Sequence, residues 1–137
     1  MIQKVLEALR DLGFLPEESS MGYEFYYEGR SYTYHPTDDY DASILHIVLP
    51  YVIHIDDSHR AAYYGLMNEV NLSTMFVKAV ENKEYIFLSA ESCIMGDADL
   101  KQTLVALIFT LNFAAEQLLK MQAQIENATD DASEASA

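Results

Sequence analysis

The sequence predicts a single α+β domain of order α-β-β-β-α-β-β-α, with a mainly antiparallel sheet flanked by helices. Three observations predict it. Apolar residues recur at helical spacing near both ends and once in the middle. Between them, aromatic and β-branched runs alternate with period two. Two of the junctions between those runs are tight, whereas a parallel crossover takes a dozen residues or more. The 137 residues fit one domain, and half of them are hydrophobic, enough for a core without a metal or disulfide staple. Residues 1–126 are assigned to the domain, and 127–137 to an acidic tail expected to be disordered.

Ile2, Val5, Leu6, Leu9 and Leu12 make one face of a short amphipathic helix that stops at Gly13. Pro16 to Gly22 reads as a loop. Tyr23–Tyr27 and Arg30–Tyr34 read as strands joined at Glu28-Gly29, where glycine supplies positive φ. That register puts Tyr23, Phe25, Tyr27, Tyr32 and Tyr34 on one face and Glu24, Tyr26, Ser31 and Thr33 on the other, and a one-residue slip would scramble the separation.

Ser43–Ile55 reads as a long strand, or two strands broken at Pro50. Leu45, Ile47, Leu49, Tyr51, Ile53 and Ile55 alternate on one side, with Ile44, His46, Val48, Val52 and His54 on the other. Pro50 cannot donate to a ladder and marks an edge or a bulge. Asp56, Asp57 and Ser58 offer caps for a second helix, which carries Gly65 at mid-length and closes at Asn71. A hairpin around Asn82-Lys83 follows. Met75, Val77, Ala79, Ile86, Leu88 and Ala90 form its core face, and Phe76, Lys78, Val80, Tyr85, Phe87 and Ser89 its outer face. Asp97 or Asp99 opens a last helix whose broad stripe runs from Leu100 to Leu119.

The net charge of −14, from 22 acidic and 8 basic side chains, repels phosphate, so nucleic acid and anionic membrane are poor partners. One cysteine, Cys93, rules out an intrachain disulfide; a half-buried inert thiol is expected. Glu7, Arg10 and Asp11 break any signal-peptide core, and no run of about 18 uninterrupted apolar residues is present. A cytoplasmic location is expected.

The chemistry-bearing residues do not assemble in sequence. His35, His46, His54 and His59 lack ligand spacing, and His46 and His54 would stand about 27 Å apart on an extended strand, so no metal is expected. Asp38, Asp39 and Asp41 lack the glycine and closing glutamate of an EF-hand. Ser58 and His59 are neighbours that do not face each other on a helix, and no glycine-rich phosphate loop exists. No enzyme activity and no cofactor are expected.

The order of elements resembles the type III secretion chaperone-like fold. Asn68-Glu-Val-Asn71, the hairpin from Met75 to Ala90, Glu91 at its end and the helix led by Leu100 resemble the YbjN-like family within it. The resemblance in order covers residues 1–120, and the asparagine motif is short; the tryptophan often found near it is missing, since the chain has none. The resemblance implies a homodimer or a peptide-binding surface rather than catalysis, with Asn68 and Asn71 structural. The residues expected to form the apolar binding surface are Phe76, Tyr85, Phe87, Ile44, Val48 and Val52, which lie where solvent alone would not call for them. The expected function is a non-enzymatic chaperone-like or adaptor domain that binds a protein segment as a homodimer. The alternative is a regulatory or sensory domain with a small ligand in an apolar pocket. A concave pocket with convergent polar groups would favour the alternative, and an open groove or free strand edge the first.

Overall fold

The two terminal apolar stripes find each other. In the computed structural model, which describes residues 2–37, 44–94 and 99–136, with side chains to 128, α1 (Ile2–Asp11) buries Val5, Leu6, Ala8 and Leu9 and packs against α3 (Leu100–Ser136). Helix α2 (Arg60–Ser73) turns Tyr63, Leu66 and Val70 inward, against α3 and the sheet. Asp56 accepts a bond from the His59 N–H at 2.9 Å and caps a 3-10 turn, Asp57–His59, that leads into α2.

The helices cover one face of a six-stranded sheet of order β1-β2-β3-β4-β6-β5, in which every neighbouring pair is antiparallel. The strands are β1 (Glu17–Ser19), β2 (Gly22–Tyr27), β3 (Arg30–Tyr34), β4 (Ile44–His54), β5 (Val77–Asn82) and β6 (Tyr85–Cys93). The expected α+β architecture is therefore present, with one strand more than expected. Three residues of the loop predicted from Pro16 to Gly22 pair with β2, and Gly22 lets the turn close. A Cβ there would lie 2.2 Å from the Tyr34 carbonyl oxygen.

The first hairpin has the predicted register, from Tyr27 opposite Arg30 to Tyr23 opposite Tyr34. Glu28 (φ 51°) and Gly29 (φ 75°) form its turn, the sign pattern that matches strand twist. Its aromatic face is the core face, with Phe25 and Tyr32 fully buried and their rings stacked at 5.7 Å.

The second hairpin turns one residue later than predicted, at Lys83-Glu84, because Asn82 pairs with Tyr85. The partners shift by two, so the faces survive: Val77, Ala79, Ile86, Leu88 and Ala90 are buried in the core. Met75 and Phe76 do not follow the pattern. Phe76 adopts φ 67°, which ends the alternation before β5 begins, and Met75 is 73% exposed rather than in the core.

Strand β4 lies between β3 and β6, so Pro50 marks an interior bulge and not an edge. Leu49 pairs with Leu88 and Ile53 with Ile86, which leaves Pro50, Tyr51 and Val52 opposite Phe87 alone. Tyr51, at φ 53°, is thrown off the core side on which alternation placed it.

Helix α3 buries Leu104, Leu107, Ile108, Leu111, Ala115 and Leu118. By length and composition it could cross a membrane, which the expectation of no such segment missed; here its stripe is the core of the domain. Its backbone stays helical through Ser136, where a disordered tail from Asn127 was expected. Alanine-rich chain prolongs a helix that is already nucleated. Asp97, Asp38, Asp39 and Asp41 lie outside the described residues, and α3 begins directly after Asp99.

Candidate functional site

The face of the sheet away from the helices is where most of the predicted binding residues fall. Ile44, Val48, Val52, Tyr85 and Phe87 belong to β4 and β6, but they do not form an exposed apolar patch. Phe87 is 5% and Val48 7% exposed, and the other three are half-buried. The bulge explains the burial of Phe87. Tyr51, turned outward, meets the Phe87 ring at 4.8 Å and the Tyr85 ring at 5.2 Å, both edge-on. His54 extends the cluster onto Tyr85 at 5.1 Å.

Further along this face His46 and His35 meet ring to ring at 5.4 Å. His35 donates from Nδ1 to the Met21 carbonyl oxygen at 2.7 Å. His46 Nε2 has no hydrogen-bond partner among the described residues and stands 3.8 Å from Glu91 Oε1. Burial holds its pKa below the usual histidine value, although Glu91 pulls the other way. No group of three metal-ligating side chains lies together among the described residues.

A trough of about 530 Å³ opens where β3 and β4 part at the bulge. Strand β3 pairs with β4 only through Thr33 and Tyr34, and beyond them Arg30 and Ser31 face the displaced Pro50 and Tyr51. The β1–β2 turn, Ser20 and Met21, forms one wall, and Leu119 of α3 forms part of the floor. Glu24 accepts a 2.5 Å bond from the Tyr26 hydroxyl, and that bond and one from Ser31 hold its carboxyl below the usual range, so it is ionised at neutral pH. Arg30 donates to Asn112 Oδ1, to which the Tyr32 hydroxyl also donates at 3.3 Å. The residue signal for this trough was Pro50 within an otherwise continuous strand. The pairing gap itself is invisible in sequence.

A second surface lies on the helical side. Phe76, thrown out by its left-handed backbone, lines a cleft of about 300 Å³ with Thr103, Ala106 and Leu107 of α3. It is thus separated from Tyr85 and Phe87, with which it was expected to share the hairpin's outer face. Phe109 and Phe113 follow Ala106 along the exposed side of α3, and Phe109 touches the Tyr27 ring at 5.8 Å. Both phenylalanines are more than half exposed and lie off the buried stripe of α3. Cys93 lines the same cleft and is exposed, not half-buried.

The two asparagines part company. Asn68 is exposed on α2. Asn71 does not close the helix, which runs two residues further to a cap at Thr74. Its side chain instead reaches the free edge of β5. Oδ1 accepts from the Ala79 N–H at 2.6 Å and Nδ2 donates to the Ala79 carbonyl at 3.3 Å. One amide thus occupies both outward backbone groups of Ala79 and blunts that edge against strand addition.

No family model matches the chain, and no curated protein does. Among solved structures, it is similar to YbjN of E. coli, a candidate transcription regulator, with a TM-score of 0.64 and 12% identity over 90% of this chain and 93% of that one. The YbjN-like resemblance is therefore one of fold, carried over nearly the whole length of both chains.

Proposed function

We propose that the domain is a non-enzymatic protein-binding module of the adaptor or chaperone type, working in the cytoplasm as a homodimer. One observation carries the reading. Leu72, Met75, Phe76, Phe109 and Phe113 are 76, 73, 61, 56 and 54% exposed, a density of large apolar side chains that water alone does not favour. Covering them at about 25 cal/mol per Å² supplies the drive, offset by lost freedom of motion. Two copies at −14 each repel, so association should tighten as salt screens them.

Sedimentation equilibrium at low and high salt tests this. The expected result is a dimer that Phe76→Asp and Phe113→Asp dissociate together. A chain that stays monomeric at every concentration and salt overturns the homodimer. A second reading, a regulatory domain with a small ligand, is favoured by the trough at the β4 bulge and fits the role named for YbjN.

A further inference from the structure

Helix α3 outlasts the core that it serves. Among the residues with described side chains Leu118 is its last buried one, yet the helix runs on to Ser136, about 27 Å further. On the side away from the core, Ala106, Phe109, Phe113, Glu116, Lys120 and Ala123 follow at steps of three and four, and all are exposed. In a chain with 22 acidic side chains, Glu116 is the single one between Leu100 and Ile125. Two cations at this stripe have no carboxylate of the described residues within ion-pairing distance, whereas Arg60, Lys78 and Lys101 are each paired in that way. One is Lys120, on the stripe. The other is Arg30, which donates to Asn112, the neighbour of Phe113. A stripe with small residues at both ends, aromatic rings between them and little charge is suited to pairing with another helix.

Resting on the homodimer reading above, we propose that two copies pair through this stripe with their α3 helices antiparallel, about a two-fold axis between Ala114 and Ala115. Running the stripe against itself sets the register. Ala106 then faces Ala123 of the second copy, Phe109 faces Lys120, and Phe113 faces Glu116. The alanines let the helices approach closely. Lys120 lies over the Phe109 ring, a cation on an aromatic face. Glu116 reaches past Phe113 to Arg30 of the second copy, held there by Asn112, and so gives that guanidinium a carboxylate. Each contact occurs twice, as a two-fold requires. A parallel pair would set Glu116 against Glu116 and Lys120 against Lys120, which costs energy. Past Ala123, each helix runs by Gln102 and Thr103 of the second copy, in the cleft that Phe76 lines, so the apolar surface becomes one interface.

Two experiments on the full chain test the arrangement. In a Cys93→Ser background, Ala106→Cys and Ala123→Cys are mixed and oxidised. The mixture should give a disulfide-linked dimer. Ala106→Cys alone should not, because its two copies stand about 25 Å apart along the helices. Sedimentation equilibrium reads the charges. Arg30→Glu and Glu116→Arg should each dimerise about tenfold more weakly than the wild type. An equimolar mixture of the two should recover, since each variant supplies the charge that the other lacks, and recovery separates a contact between copies from one within a chain. If circular dichroism shows Arg30→Glu unfolded, the cysteine pair decides. A wild-type dimer whose variants lack the mixed link, or whose Ala106→Cys links to itself, overturns the antiparallel pairing while the homodimer stands. Charge variants that dimerise as tightly as the wild type overturn the register. A chain that is monomeric throughout overturns both readings.

Discussion

The two faces of the sheet are buried by different means. On the helical face, Phe25, Tyr32, Leu45, Ile47, Ile86 and Leu88 are fully buried beneath a layer of helices. On the other face Phe87 and Val48, outside the core cluster, reach nearly the same burial with no helix of the described residues packed into a core over them. Over Phe87 the cover is a side chain of the sheet itself, Tyr51, released by the bulge at Pro50 and laid against the Phe87 and Tyr85 rings. The comparison teaches that low exposure has two energetic meanings. A helix layer holds a residue from many sides, whereas a single ring can swing away or settle into a gap.

The largest effect expected from that difference is at adjacent residues of β6. Leu88→Ala should cost about 2–5 kcal/mol, since the helix-packed core cannot close the cavity. Phe87→Ala should cost less despite removing a larger side chain, because Tyr51 and Tyr85 can settle into the space. Chemical denaturation of both variants ranks them. If Phe87 proves the costlier, the open face is as rigid as the covered one.

A smaller effect isolates the ring that does the covering. Tyr51→Ala removes two aromatic contacts, each about 0.5–1.5 kcal/mol. Tyr51→Gly removes the same contacts but releases the left-handed backbone strain at φ 53°. The glycine variant should therefore melt above the alanine variant, by about 1 kcal/mol. Equal melts would show that the bulge holds its backbone without cost.

The smallest effects are in pH dependence, and the faces should differ in sign. Burial pushes the Tyr32 hydroxyl up to about 12 from 10.0, so the unfolded chain releases that proton first. Stability from Tyr32 is full below pH 10 and is lost as pH rises toward 12. His46, on the open face, is held below 6.5 by burial, so the unfolded chain takes up its proton first as pH falls. Its contribution is present above pH 6.5 and is lost as pH falls through the lowered value. Melts of Tyr32→Phe should flatten the alkaline limb, and those of His46→Gln the limb just below pH 6.5. Unchanged limbs would mean that other groups set them.

The sequence by itself determined the α+β class, the first hairpin's register and the core face of both hairpins. These follow from period two, from a glycine at the turn and from facial separation, all local properties of the chain. The second hairpin lacks glycine at its turn, so its turn moved by one residue while its faces held. Only the tertiary structure decided what happens where the backbone leaves its period. Positive φ at Tyr51 and Phe76 sent each side chain to the opposite side from its alternation, and no residue-type signal marks a tyrosine or phenylalanine for that conformation. Asn71 likewise read as a helix end, while the free edge that it occupies comes into reach only once α2 packs beside β5. The trough has the same origin. Arg30 and Glu24 lie on a hairpin whose own register was legible, but the gap that joins them to Leu49 and Leu119 comes from a long-range pairing that stops early, and a linear pattern holds no record of where two strands part.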